Sequence, residues 1–368
     1  MEAERLHLFG LALVPGLGPK KIRLLIELFG SSQKAWQANP EQLKRVQGIG
    51  DKIAGEFCRI REELDLQLEW DRYRQRGIRI ITSDDADYPR PLLTIYEPPP
   101  VLFCRGDYHP ADRMGLAVVG SRRISHYGKK VCRQLVQELV IRGFTIVSGF
   151  ARGIDTIGHR EAIKEGGRTI AVLGSGLDVI YPPENKELYQ EVWKHGCILS
   201  EYPLGMQPLR QNFPLRNRLI SGLSLGTLVI EAAKRSGSLI TANWALEQGR
   251  EVFAVPGDIT RMSSAGTNNL IRAGAKIVTC IEDVLEEFPA LNFTIREDEG
   301  EEETQGSLPF LTEDENMVYQ LIDDQPAGIE EIMSKTPFPP GRVNSLLLGL
   351  ELKGVIQELP GKRYVINS

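Results

Sequence analysis

The chain is predicted to be an α/β protein: a doubly wound, mainly parallel sheet between an N-terminal helical block and a small C-terminal domain of helices and a hairpin. Three observations predict this. From 111 to 292, short continuous apolar runs alternate with segments of helical period, as in parallel sheets covered by helices on both faces. From 1 to 110 the helical period is interrupted twice by a G-x-G turn, and from 310 to 368 three helical patterns precede two short strand-like runs. The run 296–309 is acidic, nearly free of apolar residues and ends in proline; it cannot bury enough surface to offset ordering, so 293–309 is read as a linker.

With 368 residues, 25% charged and 42% hydrophobic, two or three soluble domains are expected. No apolar run approaches the ~18 residues of a spanning helix, and Met1-Glu2-Ala3-Glu4-Arg5 lacks the order of a signal peptide, so a cytoplasmic protein without membrane contact is expected. Cys58, Cys104, Cys132, Cys197 and Cys280 are scattered, with no C-x-x-C pair and no histidine at zinc spacing, which points to reduced thiols and no metal. The net charge of −5 is uneven: 296–303 hold six acids and one base, 311–368 nine acids and five bases, which leaves +4 on 1–295. Basic patches upstream are therefore compatible with a polyanionic partner.

In the first block, Pro15-Gly-Leu-Gly-Pro-Lys-Lys21 precedes an amphipathic stretch with Ile22, Leu25, Ile26 and Phe29 on one face. The pattern returns 32 residues later as Gly48-Ile-Gly-Asp-Lys52 before Ile53, Ala54 and Phe57. Each unit reads as helix, tight turn, helix. Gly16, Gly18, Gly48 and Gly50 would bring backbone N–H groups close to an anion, with Lys20, Lys21 and Lys52 adding charge, as in hairpins that grip a nucleic-acid backbone. A plain helical domain whose glycines only make turns fits equally well. A seam is placed near Pro98-Pro99-Pro100.

Strands in the middle block are expected at 115–119, 144–147, 169–173, 197–199, 227–230, 251–255 and 276–278, with helices such as 127–142 and 157–165 between them. Ligands of such a Rossmann-like sheet bind beyond the carboxyl ends of its strands. The first three strands run into small, glycine-bearing turns: Gly120, Ser121, Arg122 and Arg123; Ser148, Gly149 and Arg152; Gly174 and Gly176. Three bare turns on one edge, two of them carrying arginine, suit an anion better than they suit tight turning alone. G-S-R-R-I-S is not G-x-G-x-x-G, no acid follows the second strand, and G-x-x-x-x-G-K-[ST] is absent, so neither a dinucleotide cofactor nor a Walker ATPase is expected. Ser148, Asp155 and His159 could be drawn as a triad, but G-x-S-x-G is missing; Asp155 is read as a helix cap, His159 as structural, and the protein as no enzyme.

The most informative segment is Pro208-Leu-Arg-Gln-Asn-Phe-Pro-Leu-Arg-Asn-Arg-Leu-Ile-Ser221. Arg210, Arg216 and Arg218 offer guanidinium forks for phosphates, no acid intervenes, and Phe213 offers a stacking face to any unpaired base. The competing reading buries Phe213 and pairs the arginines with Glu201 or Glu231. In the last block, helices at 313–323, 328–334 and 341–353 and a hairpin of 355–359 and 363–366 suggest a winged helix at 310–368. Its recognition helix carries one base, Arg342, so a protein contact or a structural cap is favoured over DNA.

Taken in order, Gly120-Ser-Arg122, Ser148-Gly-Phe-Ala-Arg-Gly-Ile-Asp155, Val172-Leu-Gly-Ser-Gly-Leu-Asp178 with Tyr181-Pro182, Asn212-Phe-Pro-Leu-Arg-Asn-Arg218, Ser236-Gly-Ser-Leu-Ile-Thr-Ala242, Val255-Pro-Gly257 and Gly266-Thr-Asn-Asn-Leu-Ile271 resemble the motifs of the DNA-processing protein A family (DprA, also called Smf) of natural transformation. The resemblance implies a single-stranded-DNA-binding, dimerising Rossmann-like domain at 111–292 that loads the recombinase RecA onto incoming strands, with single-strand-binding protein as a further partner. It also implies an N-terminal sterile-alpha-motif or helix-hairpin-helix domain within 1–110 and a winged helix at the end. By motif, Arg122 would contact phosphate, Phe213, Arg216, Asn217 and Arg218 would line the nucleotide pocket, and Lys186 would extend the DNA surface. One departure stands at Gln207, where many members carry lysine. The alternative is a nucleotide hydrolase of the phosphoribohydrolase type on the same sheet edge, against which stands the absence of P-G-G-x-G-T-x-x-E.

Overall fold

The computed structural model describes residues 2–288, 311–322, 326–353, 355–359 and 362–366; the predicted linker at 293–309 and the Pro360-Gly361 turn lie outside the described residues. The chain opens with α1 (Glu2–Leu13), α2 (Pro19–Phe29), α3 (Ser32–Gln37), α4 (Pro40–Leu43), α5 (Asp51–Glu63) and α6 (Leu66–Gln75). The two G-x-G turns join α1 to α2 and α4 to α5. Gly16 and Gly48 take left-handed φ values of +83° and +86°, which favour glycine, and Gly18 and Gly50 start α2 and α5. A Cβ on Gly16 would lie 3.4 Å from Ile53, and one on Gly48 would lie 3.2 Å from Lys21. Lys21 and Ile53 hold equivalent places in the 32-residue repeat, so the two hairpins meet as an approximate twofold pair. Lys21 is used within this pair, its Nζ donating to Gly16 O at 2.8 Å, whereas Lys20 and Lys52 are exposed.

Among the described residues, nine strands form one sheet: β1 (Arg79–Thr82), β2 (Val101–Gly106), β3 (Gly115–Val119), β4 (Thr145–Ser148), β5 (Thr169–Val172), β6 (Gly196–Ser200), β7 (Gly226–Val229), β8 (Glu251–Ala254) and β9 (Lys276–Ile277). Their order is β1-β2-β6-β5-β4-β3-β7-β8-β9. β3 to β9 pair in parallel, and β1 and β2 add antiparallel at one edge. Around the sheet lie α7 (His126–Ile141), α8 (Ile154–Lys164), α9 (Lys186–Val192), α10 (Asn212–Gly222), α11 (Ser238–Glu247), α12 (Ala265–Arg272) and α13 (Glu282–Leu285). The seven strands expected in the middle block are all present, with ends within one residue of expectation. β1 and β2 correct the first boundary: the block expected to be helical up to 110 supplies two strands of the sheet. The reason is packing. Phe9 of α1 meets Trp70, Tyr73 and Phe103 edge-on at 5.3, 5.2 and 6.3 Å, so a single apolar core runs from α1 and α6 into β2.

From β3 the chain lays down β4, β5 and β6 on one side, then returns to set β7 against the other side of β3. That reversal opens a crevice beyond Val119 and Val229, paired at the carboxyl ends of β3 and β7. In sheets of this kind it is the place where ligands bind.

The C-terminal unit contains α14 (Glu313–Tyr319), β10 (Ala327–Gly328), α15 (Ile329–Lys335), α16 (Pro340–Leu352), β11 (Ile356–Leu359) and β12 (Arg363–Ile366), with strand order β10-β12-β11. Thr312 and Glu315 close a capping box on α14. Val343, Leu346, Leu347 and Leu350 of α16 pack on Val318, Ile332 and Tyr364.

Candidate nucleic-acid interface

A cleft of about 1090 Å³ occupies the switch point. Its near wall is the β3 turn with Arg122 and Arg123, the segment carrying Pro208 and Arg210, and the first turns of α10. The far wall is the β7 turn, the start of α11 and Met262-Ser263. The β3 turn is locked by Ser121, whose Oγ donates to Arg123 O at 2.9 Å and accepts from Arg123 N at 3.1 Å. Gly153, at φ +79°, lets the β4 turn come up against it: a Cβ there would sit 2.1 Å from Ser121 O. Gly120, Ser121 and Arg122 all line the cleft.

Phe213 stands half-buried on the near wall, neither in the core nor free. Its ring rests over Gly174, where a Cβ would come within 3.0 Å of it. The guanidinium groups of Arg122 and Arg216 lie 5.6 and 5.8 Å from its centroid, and Tyr181 is 5.9 Å away. Arg122, Arg123 and Arg210 are exposed, line the cleft, and pair with no acid among the described residues. Asp155 is the one acid among the described residues lining it.

Several of the expected residues lie off the open rim of the cleft. Arg218 is 4% exposed; its fork holds Glu201 at 2.8 and 2.7 Å and Glu97 O at 3.1 Å, because a charge on the inner face of α10 needs a partner once desolvated. Arg216 is 3% exposed and spends its donors on Gly149 O, at 2.8 Å, on Val172 O and on Asn217. Burial pulls Arg216 down to about 10, with the Asp155 carboxylate opposing that fall; it forms charged floor rather than rim. Arg152 leaves the cleft to pair with Glu184. Ser148 is fully buried, its Oγ donating to Val118 O at 2.6 Å, and the space above Gly149 is filled by Arg216 and Asp155. Gly174 lies beneath Phe213, and Gly176 packs against Pro203 O. Of the three bare turns, the β3 turn lines the cleft with Gly120 to Arg123, and the β4 turn reaches it through Ala151, not through Ser148, Gly149 or Arg152. Lys186 starts α9 on the surface and is not a lining residue, while Asn217 lines the cleft and donates to Gly237 O at 3.3 Å. Gly16 and Gly18 border a separate apolar recess of about 370 Å³ with Tyr96, Tyr202 and Trp244, and Gly48, Gly50, Lys20 and Lys52 are not lining residues of the cleft.

The triad alternative finds no assembly. His159 Nδ1 lies 2.7 Å from Thr169 Oγ1, and burial depresses the imidazole to about 3, which keeps it neutral. Asp155 sits in the first turn of α8 and accepts from Ala151 N at 3.2 Å, while Gly153 holds the cap position; burial lifts its carboxyl to about 6 against the pull of Arg216. Among the described residues there is no cluster of metal-ligating side chains and no helix long and apolar enough to cross a membrane.

The far wall escapes sequence reasoning. Lys234 and Arg235 are exposed and pair with no acid among the described residues, and the start of α11 at Ser236, Gly237 and Ser238 borders the cleft. The Ser236-Gly-Ser-Leu-Ile-Thr-Ala242 motif was a signal, but its place opposite Phe213 follows only from the strand order.

Fold and cleft together define a doubly wound α/β protein with an arginine-rimmed cleft at its carboxyl edge. The family model of DNA recombination-mediator protein A matches residues 79–289 and that of the DprA winged helix domain matches 302–362. The chain is 35% identical to protein Smf of Synechocystis sp. over 98% of both chains, and 46% identical to DNA processing protein DprA of Bacillus subtilis over 60% of this chain and 74% of that one. Among solved structures it is similar to DNA processing protein A of Streptococcus pneumoniae, at TM-score 0.67 and 38% identity over 77% of this chain and 98% of that one. It is also similar to that of Helicobacter pylori, whose structure is reported for its single-stranded DNA binding mode, at TM-score 0.52 and 31% identity over 58% and 96%. The chain belongs to the DNA recombination-mediator protein A (DprA/Smf) family.

Proposed function

We propose that the chain binds single-stranded DNA without regard to sequence and acts as a recombination mediator in natural transformation, protecting incoming strands in the cytoplasm and loading RecA onto them. The observation that carries this reading is the switch-point cleft. Exposed Arg122, Arg123 and Arg210 line it beside a half-exposed Phe213, Lys234 and Arg235 are exposed on the β7 turn, and none of the five forms an ion pair with an acid among the described residues. Guanidinium groups take phosphates irrespective of the base, and a ring accepts any unpaired base, whereas a duplex keeps its bases stacked on one another. The single-stranded DNA binding reported for the Helicobacter pylori relative supports the same choice of ligand. A homodimer through the sheet domain and contact with single-strand-binding protein complete the proposal. In the winged helix, Arg342, the one base of α16, is paired with Asp314 at 2.7 Å, which favours a protein contact over a DNA groove. The test is fluorescence anisotropy of oligo-dT against duplex of equal length across a salt series. Tighter binding of the single strand, weakening steeply with salt, is expected; preference for duplex would overturn the reading.

A further inference from the structure

The loop that supplies Met262 to the far wall of the cleft carries two apolar side chains that no core explains. Ile259 is 92% and Met262 73% exposed, more than any other large hydrophobic among the described residues. Both stand on the 256–264 loop, which follows β8 at the carboxyl edge of the sheet. The loop is fastened, so its apolar residues are held in solvent and have not simply strayed there. Asn268 clamps Gly257 from both sides, accepting from its N–H at 3.1 Å and donating to its carbonyl at 2.8 Å. Asp258 Oδ1 accepts from Thr260 N and Oγ1 at 2.8 Å each, and Gly257 packs on Ser264. Met262 lines the same cleft as Phe213 and Ile240. Exposed apolar groups fixed beside a ligand cleft mark a contact surface, and Lys234 and Arg235 are exposed on the β7 turn, whose Ala233 lines the same cleft. The far wall therefore repeats the composition of the near one: an apolar face with cations beside it.

We propose that the 256–264 loop is a second base-contacting wall, in which Met262 packs against an unpaired base held in the cleft and Ile259 against a neighbouring base outside it, while Lys234 and Arg235 take phosphates. This rests on the single-strand reading above. The occupant is the bases of the same strand because Met262 lines the cleft itself and the most exposed groups of the loop, Ile259 and Met262, are apolar, while its one cation, Arg261, lies 3.8 Å from Asp258 of the same loop.

The test uses the full chain, a labelled oligo-dT and a strand of equal length built of abasic sites. The double variant Ile259→Ser, Met262→Ser should bind oligo-dT on the order of fivefold more weakly, the effect of losing two partly buried apolar contacts, with the salt slope unchanged and abasic-strand binding unaltered. As a measurement free of mutation, photo-crosslinking of wild type to a 4-thiothymidine strand should yield adducts on 256–264. Equal losses on both strands, or crosslinks confined to the Phe213 segment, overturn the loop's role. Unchanged oligo-dT binding by the double variant, with Arg122→Ala still weakened, does so as well. A wild type that fails to bind oligo-dT at all overturns the underlying reading together with it.

Discussion

Replacing Arg122 by alanine separates the exposed cation of the cleft from the buried ones. Arg122 stands on a locked turn, forms no ion pair with an acid among the described residues, and lies 5.6 Å from Phe213; its removal leaves buried Asp155 the nearby charge of Arg216, so the fold should stay intact. A charge-assisted contact to phosphate is worth roughly 1.5 to 3 kcal/mol, and exposure puts Arg122 near the lower bound. Affinity for oligo-dT should therefore fall by about tenfold. Each phosphate neutralised on a single strand contributes about 0.7 to the slope of log K against log salt, so the slope should become shallower by about that amount. Anisotropy titrations between about 50 and 200 mM salt resolve both quantities. A variant that binds within about twofold of wild type with an unchanged slope would refute the assignment of Arg122 to phosphate.

Arg218→Ala should behave oppositely, costing about 3 to 5 kcal/mol in urea unfolding because Glu201 is left buried and unpaired, while the salt slope of the folded fraction stays put; a stable variant with weakened DNA binding would return Arg218 to the rim. Asp155 has its carboxyl raised from 3.8 to about 6 by burial, so its contribution is fully favourable below 3.8 and is lost as pH climbs through 6. Between pH 5 and 7.5, wild type should thus lose about 1 kcal/mol of stability relative to Asp155→Asn, and a gap that is flat with pH would contradict the burial of this carboxyl. Gly153→Ala meets both a φ of +79° and Ser121 O at 2.1 Å, whereas Gly143→Ala meets a φ of +83° with nothing within 4 Å. The first should be clearly less stable than the second, which should lose only the roughly 1 to 2 kcal/mol of a left-handed residue; equal losses would mean that the β3 and β4 turns are not pressed together.

The parallel strands were legible because each is a short apolar run between turn residues, and a strand buried on both faces has to read that way. β1 and β2 were not, since Arg79–Thr82 follows directly on α6 and Val101–Gly106 is preceded by three prolines; what makes them strands is the distant aromatic contact of Phe103 with Phe9 and Tyr73. Within the cleft, the arginine-rich segment could be found, but its division could not. Arg216 and Arg218 look interchangeable in sequence with Arg210, and only Glu201 and the carbonyls of Gly149 and Val172, brought up by other strands, decide which guanidinium groups turn inward. The far wall depends on β7 lying beside β3, a long-range pairing that no local pattern encodes.

Phe213 is braced from several directions before any ligand arrives, with the backbone of Gly174 as its seat and guanidinium groups beside it. A ring so fixed has already surrendered its rotamer freedom during folding. If a nucleotide stacks there as proposed, it has little disorder left to suppress on the protein side, and more of the stacking energy is retained as affinity.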